Sequence, residues 1–109
     1  MTTVTKVFLQ PKYAEAAQTT QYTSPVNTVI DKITATNVSA SNQLIKVSLV
    51  QAGQSAVTAP LTVAVTLAAG KTYHFPEMVG HYLGVNDYIS TLAGAASSVA
   101  LRISGRELT

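Results

Sequence analysis

The side chains able to do chemistry gather between Lys71 and Tyr88, a stretch that holds Tyr73, His74, Phe75, His81, Tyr82 and Tyr88. His74 and His81 stand seven residues apart with Glu77 between them, and two imidazoles and a carboxylate are donors that a divalent metal accepts. Their spacing fits neither the i,i+4 face of a helix nor the i,i+2 face of a strand, and Pro76 intervenes. The two rings therefore read as partly exposed imidazoles beside a turn, and no metal or other cofactor is assigned. Aromatic rings with polar tips serve three ends: filling a core with the hydroxyl reaching water, making a protein contact, or stacking on a sugar. Core filling is the first reading here and protein contact the second. Without Trp, the best stacking surface, a glycan platform on Tyr73, Tyr82 and Tyr88 ranks third. Tyr73, His74, Phe75 and Tyr82 are retained as candidate partner contacts.

Nucleophilic catalysis finds little support. Nine Ser, two His and two Asp allow a triad in principle, as they do in most proteins. No Gly-x-Ser-x-Gly elbow occurs, and the nearest approach, Ile103-Ser104-Gly105, lies at a strand end. Glu15, Asp31, Glu77, Asp87 and Glu107 form no recognisable acid–base pair, and no Gly-x-x-x-x-Gly-Lys loop is present to cradle a phosphate. The chain reads as non-enzymatic.

The elements that position these residues are strands. Leu61, Val63, Val65 and Leu67 alternate with Thr62, Ala64 and Thr66, and Ile45, Val47 and Leu49 alternate with Lys46 and Ser48. Thr3–Leu9, Thr19–Thr23, Thr28–Thr36, Thr72–Phe75, Asp87–Ala93 and Val99–Ile103 are further strands, bounded by Pro, Gly, Asn and Ser. Only Lys12–Gln18 carries helical propensity, for one or two turns, and Glu77–Val85 has room for a single turn. Gly105 marks a bulge or turn. Seven or eight short strands at this spacing predict an all-β, antiparallel sandwich, jelly-roll-like or immunoglobulin-like. At 109 residues the chain is one domain, with an N-terminal arm over about residues 1–11.

Composition narrows the partners. Seven Lys+Arg and five Asp+Glu give a net charge of +2, and the basic residues are scattered rather than gathered into the patch that nucleic acid requires. Residues 1–11 lack the charged opening and the apolar run of a signal peptide, so none is expected there. The 24 uncharged residues from Val47 to Gly70 contain Gln51, Gln54 and Pro60 and alternate with period two in their second half, which a spanning helix would not do. Charged residues are 11% of the chain, against roughly 25% in an average domain. Thr (15), Ala (15), Val (13) and Ser (9) take their place. Such strands solvate their faces without guarding their edges, since soluble β proteins block edges with charge, Pro or a covering loop. The chain is accordingly expected to form a homo-oligomer or lattice, with the arm carrying Val4, Lys6 and Phe8 as candidate contacts for strand addition to a neighbour.

Four segments carry a resemblance: Tyr22-Thr-Ser-Pro25, Val29-Ile-Asp-Lys-Ile-Thr-Ala-Thr-Asn37, Ile45-Lys-Val-Ser-Leu-Val50 and Leu101-Arg-Ile-Ser-Gly-Arg-Glu107. Together they resemble small structural proteins of tailed bacteriophages. The resemblance implies a virion component, assembled in the host cytoplasm, that decorates and stabilises the outer head shell by binding the major capsid protein or another virion protein. A tail or baseplate subunit is the alternative within that group. A carbohydrate-binding module is the alternative from another class. The resemblance brings no catalytic residue.

Overall fold

In the computed structural model, which describes residues 2–58 and 61–109, nine strands pair into two antiparallel sheets. Met1 and Pro60, noted in the sequence, lie outside the described residues. The strands are β1 (Thr3–Tyr13), β2 (Thr19–Thr23), β3 (Asn27–Asn37), β4 (Gln43–Val50), β5 (Leu61–Leu67), β6 (Thr72–Tyr73), β7 (Tyr82–Leu83), β8 (Tyr88–Ala93) and β9 (Val99–Leu108). Sheet A runs β1-β9-β3, with β6 and β7 both on the far side of β3, and sheet B runs β2-β8-β4-β5. Consecutive strands alternate between the sheets at both ends of the chain, so of the two sandwich topologies expected, this is the jelly roll.

Alternation sets the core. Ile30, Ile33, Leu101 and Ile103 of sheet A meet Ile45, Val47 and Ile89 of sheet B, and all are buried. The Lys12–Gln18 segment does not become helix. Lys12 and Tyr13 continue the ladder with Leu101 and Ala100, and the Ala14 N–H donates to Val99 O at 2.8 Å. Tertiary pairing overrides a weak local preference here. The residues expected as an arm are likewise held by β9, from Thr3 opposite Leu108 onward.

Gly105 lies inside β9 and is not a turn. A Cβ there would sit 2.2 Å from Val29 O and 2.5 Å from Phe8 Cε2, so the glycine lets a ring and a neighbouring strand close over it. The irregularity expected nearby falls on β3, where the register shifts between Ile30 and Lys32. The helical turn expected over Glu77–Val85 is a three-residue 3₁₀ turn, Pro76–Met78, entered through Phe75 at φ 46. Left-handed backbone at Phe costs about 1–3 kcal/mol. Complete burial of the ring, about 1.5–3 kcal/mol, offsets that strain.

Candidate interaction surfaces

Five of the seven candidate contact residues reach the surface. On β1, Val4 is exposed, and Lys6 extends along the sandwich mouth to pair with Glu107 Oε2 at 3.3 Å. Phe8 points into the core, its ring stacked on Tyr22 with centroids 4.2 Å apart. Phe75 is also core, edge-on to Tyr73 at 4.9 Å. The Tyr73 hydroxyl donates to Glu77 at 2.6 Å. This contact raises the phenol pKa and lowers that of the carboxyl. His74 Nδ1 lies 3.5 Å from Thr34 Oγ1, while Tyr82 stands largely exposed. Among the described residues no three His, Asp or Glu come together as a metal site.

The aromatics do not converge on one platform. Tyr73 is tied to Glu77, and the Tyr88 hydroxyl donates to Gln54 O at 2.6 Å. Tyr82 instead borders an open groove of about 340 Å³ beside Leu61, Leu49, His81 and Asp87. Asp87 is itself engaged, accepting from the backbone N–H groups of Gly84 and Ala52, both at 2.9 Å.

At the opposite edge a polar bridge joins the sheets. Tyr22 of β2 donates to Glu107 of β9 at 2.9 Å. Burial pushes the Tyr22 phenol up, and the Glu107 carboxylate adds to the rise. Glu15 is held below its ordinary value by Lys12, 2.9 Å away, and by a bond from Gln21. These contacts brace the β1–β2 corner and leave no unpaired buried side-chain atom among the described residues.

Charge is distributed very unequally between the sheets. Lys6, Lys12, Asp31, Lys32, Arg102, Arg106 and Glu107 all lie on strands of sheet A, whereas sheet B carries Lys46 alone. The strand edges follow the same division. β1 is guarded by Lys6, Lys12, Pro11 and two register shifts. The other side of sheet A is a broken edge, two two-residue strands separated by the Pro76 turn. In sheet B, β2 is five residues long with a shift between Thr20 and Tyr22.

β5 carries none of these protections. Its seven residues have no charge and no Pro, and they run in unbroken register against β4 from Leu61–Leu49 to Leu67–Gln43. No described strand pairs with its other side. This strand and its lack of charge stand in the sequence, where strand addition is expected of the N-terminal segment and further contacts of Tyr73, His74, Phe75 and Tyr82. Which strand is an edge depends on a topology that no local pattern encodes.

No family model and no curated protein matches the chain. Among solved structures, a chain of the Bacillus endospore appendages, which form a novel family of disulfide-linked pili, is similar in fold. The likeness covers 97% of this chain and 88% of that one, at 18% identity and a TM-score of 0.57. At that identity what is shared is the jelly-roll sandwich.

Proposed function

We propose that this protein is a non-enzymatic structural subunit that assembles through the β5 edge, and that its assembly decorates a bacteriophage head shell. The single observation carrying the reading is the unguarded β5, an uncharged edge in unbroken register with β4, whereas the other described edges are blunted. Strand addition at such an edge satisfies backbone groups with little demand on sequence. Two further points support it. The fold is shared with an appendage protein that forms pili. This chain has no Cys, so no disulfide of its own can hold an assembly, and an open ladder offers backbone hydrogen bonds instead. The resemblance to small virion proteins supplies the head shell and the major capsid protein as partner. The mechanism is mechanical: a rigid sandwich bridges neighbouring shell subunits and adds buried area against internal genome pressure.

The test is the composition of virions purified from a culture of the phage or lysogen whose genome carries the gene, separated into heads and tails; a gene lying in no phage genome would refute the reading outright. Peptides of this chain in the head fraction, lost when Ala64→Pro blocks the β5 edge, are the expected result. Recovery only with tails would replace the head by a tail or baseplate location. Absence from virions, or full occupancy with Ala64→Pro, would refute the reading.

A further inference from the structure

The seven residues of β5 read the same in both directions: Leu61-Thr62-Val63-Ala64-Val65-Thr66-Leu67. In an antiparallel pair, residue positions run in opposite senses, so a palindromic strand opposite a second copy of itself meets like with like. Centred on Ala64, such a pair sets Leu61 against Leu67, Thr66 against Thr62, Val63 against Val65, and Ala64 against Ala64 of the copy. From this we infer that β5 pairs with β5 of a second copy of this chain across a two-fold axis at Ala64. The two four-stranded sheets thereby join into one of eight strands.

The ladder of sheet B has the phase this requires. Gly94 N–H donates to Leu44 O at 2.8 Å, so the even-numbered residues of β4 bond to the β8 side. The alternation of an antiparallel ladder then leaves the odd-numbered residues of β4 to bond β5, through Val65 opposite Ile45 and Val63 opposite Val47. Ala64 and Thr66 consequently turn their backbone N–H and C=O away from β4, toward the open edge. The centre of the palindrome is thus a residue whose backbone groups face outward, and Ala64 meets its own copy as a hydrogen-bonded pair.

Faces and side chains agree with the axis. A two-fold axis normal to the sheet keeps both apolar faces on one side, since each residue meets one of the same parity. Val63 and Val65 pack against the core yet stay partly exposed at the edge of sheet B, where a neighbouring strand would cover them. On the other face Ala64 and Thr66 are small and uncharged, and Lys46, the only charge in the sheet, sits one strand back opposite Ala64. Such a contact is isologous and closes as a dimer. A heterologous use of the same edge would give a ring or an open filament instead.

The inference rests on β5 being the assembly edge, and the absence of native Cys makes its register directly readable. Ala64→Cys places two thiols across the axis with Cα atoms about 5.5 Å apart, within disulfide reach. Thr66→Cys places its own two copies roughly 14 Å apart, beyond it. Mild oxidation of the full chain is expected to convert Ala64→Cys into a covalent dimer and to leave Thr66→Cys uncross-linked. Failure of Ala64→Cys to cross-link, or equal cross-linking by Thr66→Cys, would overturn the two-fold register. A second pair of variants reads it without covalent chemistry. Ala64→Lys and Ala64→Glu each set like charges directly opposite and are expected to lose the dimer, whereas their mixture recovers it as a heterodimer. Homodimers from either variant alone would overturn the axis. Should these fail while Ala64→Pro still removes the chain from heads, the edge serves a different partner and the structural reading stands.

Discussion

Replacing Gly105 by Ala adds one methyl group, and the structure fixes both the sign and the size of the response. In an ordinary strand the change is expected to help slightly, by about 0.4–1 kcal/mol, because alanine has less unfolded-state freedom to lose. Here the new Cβ would stand 2.2 Å from Val29 O, 2.5 Å from Phe8 Cε2 and 2.8 Å from Phe8 Cζ, against an ordinary contact of 3.4 Å or more. The shortfall at the carbonyl is 3.4 − 2.2 = 1.2 Å. A flexible side-chain tip would yield, but Val29 O is backbone within a ladder bonded on both sides, and Phe8 is pinned by its stack on Tyr22. Overpacking of a tight site costs about 1–3 kcal/mol, and two immovable neighbours place this site near 3 kcal/mol. For a domain of this size that lowers the melting temperature by roughly 12–24 °C. Thermal unfolding followed by circular dichroism measures it. In the double variant with Phe8→Leu the ring part of the clash is relieved and the carbonyl part remains, so the two effects fall short of adding. A Gly105→Ala protein melting within about 2 °C of the parent, or above it, would show that β9 does not lie as close to β3 and Phe8 as described.

Three other expectations concern polar groups. Asn37 is fully buried; its Nδ2 donates to Leu67 O at 2.9 Å and Ser41 O at 2.8 Å, and its Oδ1 accepts from Ser39 N–H at 2.9 Å. Asn37→Ala strands the Leu67 carbonyl and should cost about 2–3 kcal/mol in urea unfolding, with faster amide exchange at Ser39. Stability should fall at both extremes of pH, which urea midpoints measured against pH will report. Glu15, whose pKa is lowered, contributes fully above its unfolded value and loses that contribution as pH falls through the folded one. Its pair with Lys12 is exposed, so Glu15→Gln should flatten the acid limb by well under about 1 kcal/mol. Tyr22, whose pKa is raised, contributes fully below its unfolded value near 10 and loses that contribution as pH rises beyond it. Tyr22→Phe should lower neutral-pH stability through loss of the Glu107 bond and flatten the alkaline limb.

The sequence is a good guide where the fold is periodic. β4, β5 and the first half of β9 are visible in their apolar–polar alternation, because each has one face against the core. It misleads where a residue answers to a distant neighbour. Gly105 looks like punctuation because its reason for being glycine, the closeness of Phe8 and Val29, lies 97 and 76 positions away (105 − 8 and 105 − 29). Lys12 and Tyr13 look helical because their partners in β9 are equally remote. Glu107 shows no partner in the sequence, yet it bridges the two sheets through Tyr22, 85 positions away (107 − 22). The candidate edge was half legible. Its lack of charge and its palindrome stand in the sequence, whereas its position at the margin of a sheet follows only from strand order.

That strand order also dictates a schedule for synthesis. β9, made after the other eight described strands, lies between β1 and β3, so sheet A has no continuous ladder until about residue 99 onward has left the ribosome. Sheet B can form its β4–β5 pair much earlier, from strands consecutive in the sequence. The uncharged β5 edge is therefore available while half of the sandwich is still missing, the interval in which unpaired edges most readily find wrong partners. Closure by β9 requires contacts between opposite ends of the chain and is slow for the same topological reason. Yield on expression should accordingly depend on how fast nascent chains are completed and how crowded they are, well before the stability of the finished subunit matters.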